Sequence, residues 1–235
     1  MRLHVDALPV DETLITLNAD RSHYLCRVRR ARAGDPVTLF DGNGARIEGE
    51  VHTPDKRTAT VRVVERHYDA PPAVRLSLAI AWIKGEACDR AVQKAVELGA
   101  NDIVLMTTER SNVRLNAERR AKRLEHLRRI SISACEQCGQ NHVPGVRHSP
   151  SLTQALDAAP AQVLCLQPDS PALPTAVAYA DTLLLVGPEG GWSEGEQSLL
   201  ESRATMMGLG ALILRAETAP LAALAAIRSG WGWRP

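Results

Sequence analysis

The chain of 235 residues is 45% apolar and 23% charged, with 28 basic against 27 acidic side chains and a formal net charge of +1. That composition excludes a disordered chain, a collagen-like repeat and a disulfide-stapled mini-protein, and the length admits one large domain or two smaller ones. No apolar run reaches the roughly 18 residues a membrane span needs, and Met1-Arg2-Leu3-His4-Val5-Asp6 lacks the apolar stretch of a secretory signal, which predicts a cytoplasmic protein without a membrane partner.

In chain order, the first 70 residues read as β-rich. A short helix around Asp20–Val28 precedes three runs of partial alternation, Val37–Phe40, Ala45–Val51 and Thr58–Val64. Asp41-Gly42-Asn43-Gly44 between the first two is a hairpin signal, because these residues tolerate positive φ. The pattern predicts a small β-barrel over residues 1–70, and Ala70-Pro71-Pro72 marks the boundary. From residue 73 the texture changes to unbroken apolar runs alternating with helical segments. Strands are expected at Leu76–Ile83, Asp102–Thr107, Gln162–Leu166, Thr182–Val186 and Ala211–Leu214. Between them, Cys88–Leu98 reads as helix stopped by Gly99, and Asn116 caps a long helix to about Cys138 with Leu124, Leu127, Ser131 and Ala134 on one stripe. Thr218 and Pro220 start a last helix, Pro220–Arg228. Buried runs between helices predict an α/β domain with a parallel sheet covered on both faces.

Charge is unevenly spread: residues 71–150 carry 13 basic against 8 acidic side chains, whereas residues 151–235 carry 4 against 8. Two clusters, Arg21, Arg27, Arg29, Arg30 and Arg32, then Arg119, Arg120, Lys122, Arg123, Arg128 and Arg129, suit a polyanion, and equally suit solvated faces. Five cysteines (26, 88, 135, 138, 165) read as reduced thiols. Cys135-Glu136-Gln137-Cys138 is one CxxC without a second pair, so it reads as two helical cysteines a turn apart, ahead of a redox pair, and no metal is expected.

Ligands of open parallel sheets bind beyond the carboxyl ends of strands, and two loops fit. Gly187-Pro188-Glu189-Gly190-Gly191-Trp192-Ser193-Glu194-Gly195-Glu196 follows Leu183–Val186, and its Ser193 and Glu196 form a capping box. It has neither Walker nor GxGxxG spacing, and Glu194 and Glu196 at the helix start oppose a phosphate. The second loop runs from Gly208 through Arg215-Ala216-Glu217-Thr218-Ala219. Either loop, alone, also reads as a plain turn into a helix.

Together they carry more. Gly-Pro-Glu-Gly-Gly-Trp-Ser-x-x-Glu at 187–196 with Leu-Gly-x-x-Ile-Leu-Arg-x-Glu-Thr-Ala at 209–219 resembles the RsmE family of bacterial ribosomal RNA methyltransferases, of the SPOUT class. Lys84-Gly85, Gln93–Gly99, Thr108–Ser111 and Ala134–Gln137 agree in order, as do His23–Arg29, Gly34-Asp35 and Phe40–Gly42. The resemblance therefore covers nearly the whole chain. It implies an α/β fold in which a SPOUT-type, trefoil-knotted parallel-sheet domain, residues 73–235, follows a PUA-like β-barrel RNA-binding domain, residues 1–70. It further implies a homodimer that methylates N3 of one uridine in 16S ribosomal RNA of the assembled small subunit, with S-adenosylmethionine as donor and no metal.

Carried onto this sequence, the cofactor contacts fall on Leu166, Gly187, Glu189, Gly190, Gly191, Leu209, Leu214, Thr218 and Ala219. RNA contacts fall on Arg27, Arg29, Arg30, Arg110, Ser111 and Asn141. Arg215, Glu217, Glu136 and Gln137 are the catalytic candidates, without an assigned general base, and each has a structural role open to it as a cap or ion pair. The chain departs from the family pattern at Cys138, Gln140, Leu212 and Ala216, where Ser, Arg, Arg and Thr are expected. Two other activities stay open: methylation of another RNA position, or RNA binding without catalysis. For the dimer, the sequence offers the all-round apolar helix Leu221–Ile227, with Trp231 and Trp233 as possible anchors.

Overall fold

The protein is described by a computed structural model covering residues 1–172 and 177–233. It forms two compact units, Met1–Pro71 with Cys135–Val143, and Pro72–Ala134 with Pro144–Pro235. The segment Cys135–Val143 joins the first unit although it is flanked in sequence by the second, an arrangement that a single boundary at Pro71-Pro72 does not express.

In the first unit, β1 (Arg2–His4), β2 (Leu14–Thr16), β3 (Pro36–Phe40), β4 (Ala45–Thr53) and β5 (Thr60–Tyr68) form one sheet in the order β1-β3-β4-β5-β2. β1 runs parallel to β3 and the remaining pairs are antiparallel. The β3–β4 hairpin turns where expected: Gly42 and Gly44 have φ +80° and +102°, and the Asp41 carboxylate accepts the N–H groups of Asn43 and Ala45. α1 (Ala19–His23), capped by the Asn18 side chain, continues into a π-helical turn, Tyr24–Val28. Leu3, Ile15, Leu25, Leu39, Ile47 and Val61 make up much of the core. Strands β1 and β2 escape the sequence reading because three residues are too few to show a period.

Among the described residues the second unit has six strands, β6 (Leu76–Ala81), β7 (Asp102–Met106), β8 (Gly145–Ser149), β9 (Gln162–Leu166), β10 (Thr182–Val186) and β11 (Thr205–Met207). They form an all-parallel sheet in the order β11-β9-β10-β6-β7-β8. The chain lays β7 and β8 outward from β6, then returns to place β9 two positions away and inserts β10 between β9 and β6. The helices are α2 (Gly85–Glu97), α3 (Ala117–Cys138), α4 (Leu152–Asp157), α5 (Glu194–Arg203) and α6 (Ala219–Gly230). Asn116 accepts the Arg119 N–H at the start of α3, and Leu127, Ser131 and Ala134 are buried along its stripe.

Three expectations change. Ala211–Leu214 is not a strand: the position beside β9 is taken by β11, so the apolar quartet runs past the sheet with Leu212 and Ile213 79% and 86% exposed. Thr218 precedes α6 but already has helical φ and ψ, and its side chain makes no capping bond. α6 buries Pro220, Ala223, Leu224, Ile227 and Arg228 within its own chain and leaves Leu221, Ala222, Ala225 and Ala226 half-buried. Trp231 also turns inward, its indole N–H donating to the Val177 and Ala178 carbonyls, which removes it as an interface anchor; Trp233 remains exposed. Among the described residues no helix is long and apolar enough to cross a membrane.

Gly99 ends α2 as the sequence predicts, with φ +81° and the Schellman pair Ala100 N–H to Ala95 and Gly99 N–H to Val96. The Arg228 guanidinium caps the same end, donating to the Leu98 and Gly99 carbonyls at 3.3 and 2.7 Å. A Cβ on Gly99 would run into that guanidinium. Gly99→Ala is therefore expected to cost more than the roughly 1–2 kcal/mol of a left-handed alanine. Urea unfolding checks it: the excess should vanish in an Arg228→Ala background, and an additive double mutant would place the strain elsewhere.

Candidate cofactor site

Six parallel strands aim their carboxyl ends at one edge of the second unit, and the loops there decide what it can bind. A cavity of about 670 Å³ opens at the ends of β9, β10 and β11, marked by Leu166, Val186 and Met207. That volume lies within the range of small-molecule and cofactor sites. Gly187, Pro188, Glu189, Gly191 and Trp192 line it from the β10–α5 loop, and residues 209–210, 212–216 and 219 from the β11–α6 loop.

Local chemistry shapes the first loop. Trp192, 9% exposed, folds back onto Gly187 so closely that a Cβ there would lie 2.8 Å from its ring. Gly191 closes a turn onto the Pro188 carbonyl at φ +69°, with open space on its Cβ side. Ser193 and Glu196 form the expected capping box. The buried Glu196 carboxylate does more than cap: one oxygen accepts the Ser193 N–H and the other the Glu109 N–H, each at 3.0 Å. It thereby ties the loop after β7 to the loop after β10. Gly190 lies at this seam, 3.1 Å from the Arg110 carbonyl if it carried a Cβ, and Arg110 donates to the Gly190 carbonyl at 3.5 Å.

On the far wall, Gln167 follows β9; its N–H bonds the Met207 carbonyl, while its side-chain Oε1 is buried with no partner. Asp169, at φ +64°, lines the same wall. The ionisable lining is Asp169, Glu189 and Arg215, a balance that favours a cationic ligand over a phosphate, as do Glu194 and Glu196 in the first turn of α5. Cys165, beneath the site, is fully buried and its thiol is pushed up to about 12 by burial, so it packs as a neutral group rather than acting as a nucleophile.

Of the residues expected at a cofactor, Leu166, Gly187, Glu189, Gly191, Leu209, Leu214 and Ala219 line this one cavity, while Gly190 and Thr218 lie outside its lining. Among the catalytic candidates Arg215 alone lines it; Glu217 is half-buried nearby in sequence. Arg110 is exposed, and Ser111 is buried with its hydroxyl accepting the Val113 N–H at 3.3 Å. Glu136, Gln137 and Asn141 belong to the first unit. Glu136 is bound there to Arg21 and to the His4 N–H, and Asn141 to Arg2 and Asp69; Gln137 is exposed. Arg27, Arg29 and Arg30 are exposed at and beyond the end of the π-helical turn. Sequence reasoning missed Gln167, Asp169 and Gln197, which line the cavity. The rule that ligands sit beyond strand ends would have pointed to Gln167 and Asp169, directly after β9.

Fold and cavity define a parallel α/β protein with a loop-lined cavity at the carboxyl edge of its sheet, its charge balance suited to a small cation. Residues 70–228 match the family described as RNA methyltransferase domain, and residues 17–64 the one described as RNA methyltransferase PUA domain. The chain is 30% identical over 226 residues to ribosomal RNA small subunit methyltransferase E of Bacillus subtilis (strain 168), covering 90% of this chain and 88% of that protein. It superposes with TM-score 0.87 on ribosomal RNA small subunit methyltransferase E from Neisseria gonorrhoeae bound to S-adenosyl methionine, at 32% identity over 98% of this chain and 97% of that one. A methyltransferase from Legionella pneumophila in complex with the same cofactor gives TM-score 0.87 at 30% identity, over 97% and 96% of the two chains. The chain belongs to the RNA methyltransferase family, and within it to the group of the ribosomal RNA small subunit methyltransferases E.

Glu196→Ala removes two charge-assisted bonds at once, one of them half of the capping box, so it is expected to lower the unfolding free energy by roughly 2–4 kcal/mol. Glu196→Gln keeps one acceptor oxygen and is expected to lose about half as much. Urea midpoints at an unchanged m-value check both; a loss under ~1 kcal/mol for Glu196→Ala would deny the carboxylate its clamping role.

Proposed function

We propose that the protein transfers the methyl group of S-adenosylmethionine to N3 of a specific uridine in 16S ribosomal RNA, acting as a homodimer on the assembled small subunit in the cytoplasm. The observation that carries this reading is the pairing, in one chain, of the two RNA methyltransferase matches with a cation-suited cavity at the ends of β9, β10 and β11. The residues present fit the cofactor. Gln167 Oε1 is a buried acceptor in want of a donor, and an adenosyl amine or hydroxyl supplies one. Asp169 and Glu189 suit its positive charge. Leu166, Val186, Met207 and Ile213 offer apolar walls, and Gly187 and Gly191 keep the backbone open to close approach. β10 enters the sheet between two strands that precede it in the chain, and we read the loops at 187–191 and 209–219 as parts of a trefoil knot of the SPOUT type.

When bound, the cofactor supplies a methyl group made electrophilic by its sulfonium. The rest falls to the chain. N3 lies on the Watson–Crick edge of uracil, so the base must be unpaired or extruded to reach the cavity. Its N3–H is a weak acid that loses its proton as the new bond forms, and the developing negative charge needs a fixed positive partner. Arg215, exposed and lining the cavity, is that partner in this reading. Positioning is the larger contribution, because the electrophile is intrinsically reactive.

Nucleoside mass spectrometry of 16S ribosomal RNA from cells with and without the gene tests the assignment. One 3-methyluridine is expected to vanish and to return with the wild-type gene but not with Arg215→Gln. Loss of a different methylated nucleoside would redirect the activity, and an unchanged profile would leave an RNA-binding assembly factor.

RNA binding by the first unit is expected to be electrostatic. Charge reversal of Arg27, Arg29 and Arg30 should weaken RNA binding and flatten its log–log salt slope by roughly 0.7–0.9 for each phosphate that is no longer neutralised. Cofactor affinity should not change, and an unaltered slope would return the three arginines to a solvated face.

For the dimer, the half-buried side of α6 and the exposed Leu212, Ile213 and Trp233 are among the apolar surfaces available. Light scattering should report twice the 25.5 kDa chain mass. Leu221→Asp, at a half-buried site, should halve that mass without unfolding; Leu224, fully buried in its own chain, cannot serve as the probe. A fully active monomer would refute the dimer.

A further inference from the structure

The sequence of the CxxC at the end of α3 reads as two cysteines a turn apart ahead of a redox pair, and the structure gives them a more specific setting. Cys135 is fully buried and Cys138 is exposed, three residues on and at the last position of the helix. Their thiols share a hydrogen bond. Gly139, at φ +92°, ends the helix, its N–H bonded to the Cys135 carbonyl at 3.1 Å. The Arg2 guanidinium faces both sulfurs and Glu48 electrostatically. It donates to the Asn141 side chain and to the Gln140 carbonyl, and it stacks 4.8 Å from the Phe40 ring centroid. Its Nε is buried with no partner. An accessible sulfur beside a half-buried cation, with a second sulfur in contact behind it, is the arrangement that makes a thiol reactive and gives it a resolving partner.

We propose that Cys138 and Cys135 form a reversible dithiol–disulfide site, with Cys138 as the attacking sulfur, Cys135 as the resolving one, and a low-molecular-weight disulfide as the oxidant. The Cys138 thiolate attacks one sulfur of the oxidant, forming a mixed disulfide and expelling a thiolate. Cys135 then gives its proton to solvent and attacks Cys138 Sγ, forming the Cys135–Cys138 bond and expelling the second thiolate. Two protein thiols are oxidised and one small disulfide is reduced to two thiols. The remaining cysteines are built differently: burial raises the Cys88 and Cys165 thiols, and desolvation and Asp55 raise Cys26. Cys135 is raised too, by its bond to Cys138 and by burial, while Cys138 is the exposed sulfur of the pair.

Closing the bond has a mechanical consequence. Helical residues three apart hold their Cβ atoms about 5–6 Å apart, whereas a disulfide draws them to roughly 3.5–4.5 Å. The last turn of α3 must contract, and the groups beside it are those that fasten Cys135–Val143 within the first unit. Glu136 holds Arg21 and the His4 N–H, and Gln140 and Asn141 hold Arg2.

Full-length reduced protein, equilibrated in glutathione buffers of graded oxidised fraction and acid-quenched, tests the site by intact mass and peptide mapping. The expected product has lost two hydrogens, carries a Cys135–Cys138 link, and keeps Cys26, Cys88 and Cys165 alkylatable after unfolding. Cys135→Ser should stop at one glutathione on Cys138, and Cys138→Ser should give neither adduct nor link. In the wild type, the pH profile of Cys138 alkylation should fall below the ordinary thiol value of about 8.5. Arg2→Gln, if its circular dichroism is native, should slow that alkylation several-fold at neutral pH. Protein that stays reduced in oxidised buffer, a mixed disulfide that never resolves, or a Cys138 titrating at or above the ordinary value would each overturn the proposal.

Discussion

The second unit depends on one buried carboxylate. Glu196 is 8% exposed and satisfies its charge with backbone donors from two loops, the Glu109 and Ser193 N–H groups. A buried charge without such partners would cost several kcal/mol, so the sequence tolerates Glu at this place only if both loops close on it. The clamp thereby sets where the glycine-rich loop begins its helix and where Arg110 crosses Gly190. Everything the cavity offers from the β10–α5 side is referenced to this point.

Strand order supplies the second constraint. Because β10 is inserted between β9 and β6, the loops leaving β9, β10 and β11 converge on one edge of the sheet. β9 and β10 themselves are almost wholly apolar and buried, as a sheet covered on both faces requires. Recognition is left to loop backbone and to the few polar groups at strand ends, Gln167, Glu189 and Arg215 among them. A cavity built this way can hold a cation closely without a metal ligand or a covalent nucleophile, which accords with a reaction whose main demand is alignment. The exposure of Leu212 and Ile213 follows from running an apolar segment past the sheet edge to form its wall.

The first unit is fastened by a different device, a network of polar side chains around the returning segment Cys135–Val143. Asn141 joins Arg2 to Asp69, His142 bonds the Asp69 carbonyl at 2.9 Å, and Glu136 joins Arg21 to the His4 backbone. Such networks specify one arrangement because each member left unsatisfied is costly. The same density of bonds gives Glu136 and Asn141 partners within the first unit, and a change at the two thiols beside them would be felt.

By itself the sequence determined what depends on bonds between near neighbours. Ser193 and Glu196 form their box, Gly99 stops α2, Asn116 starts α3 and Asp41–Gly44 turns the hairpin, since each rests on bonds one to five residues apart. The shared motifs at 187–196 and 209–219 made the family legible for a related reason: they are contiguous loops whose residues act together. Tertiary structure alone decided the rest. Whether Ala211–Leu214 became a strand turned on β11 reaching the edge of β9 first. The second role of Glu196 turned on Glu109, 87 residues earlier, the pairing of Glu136 on His4 and Arg21, and the place of Gln167 on Met207. A propensity or a period reports only on the next few residues, whereas these assignments belong to pairs that the chain brings together only after the sheet order is set.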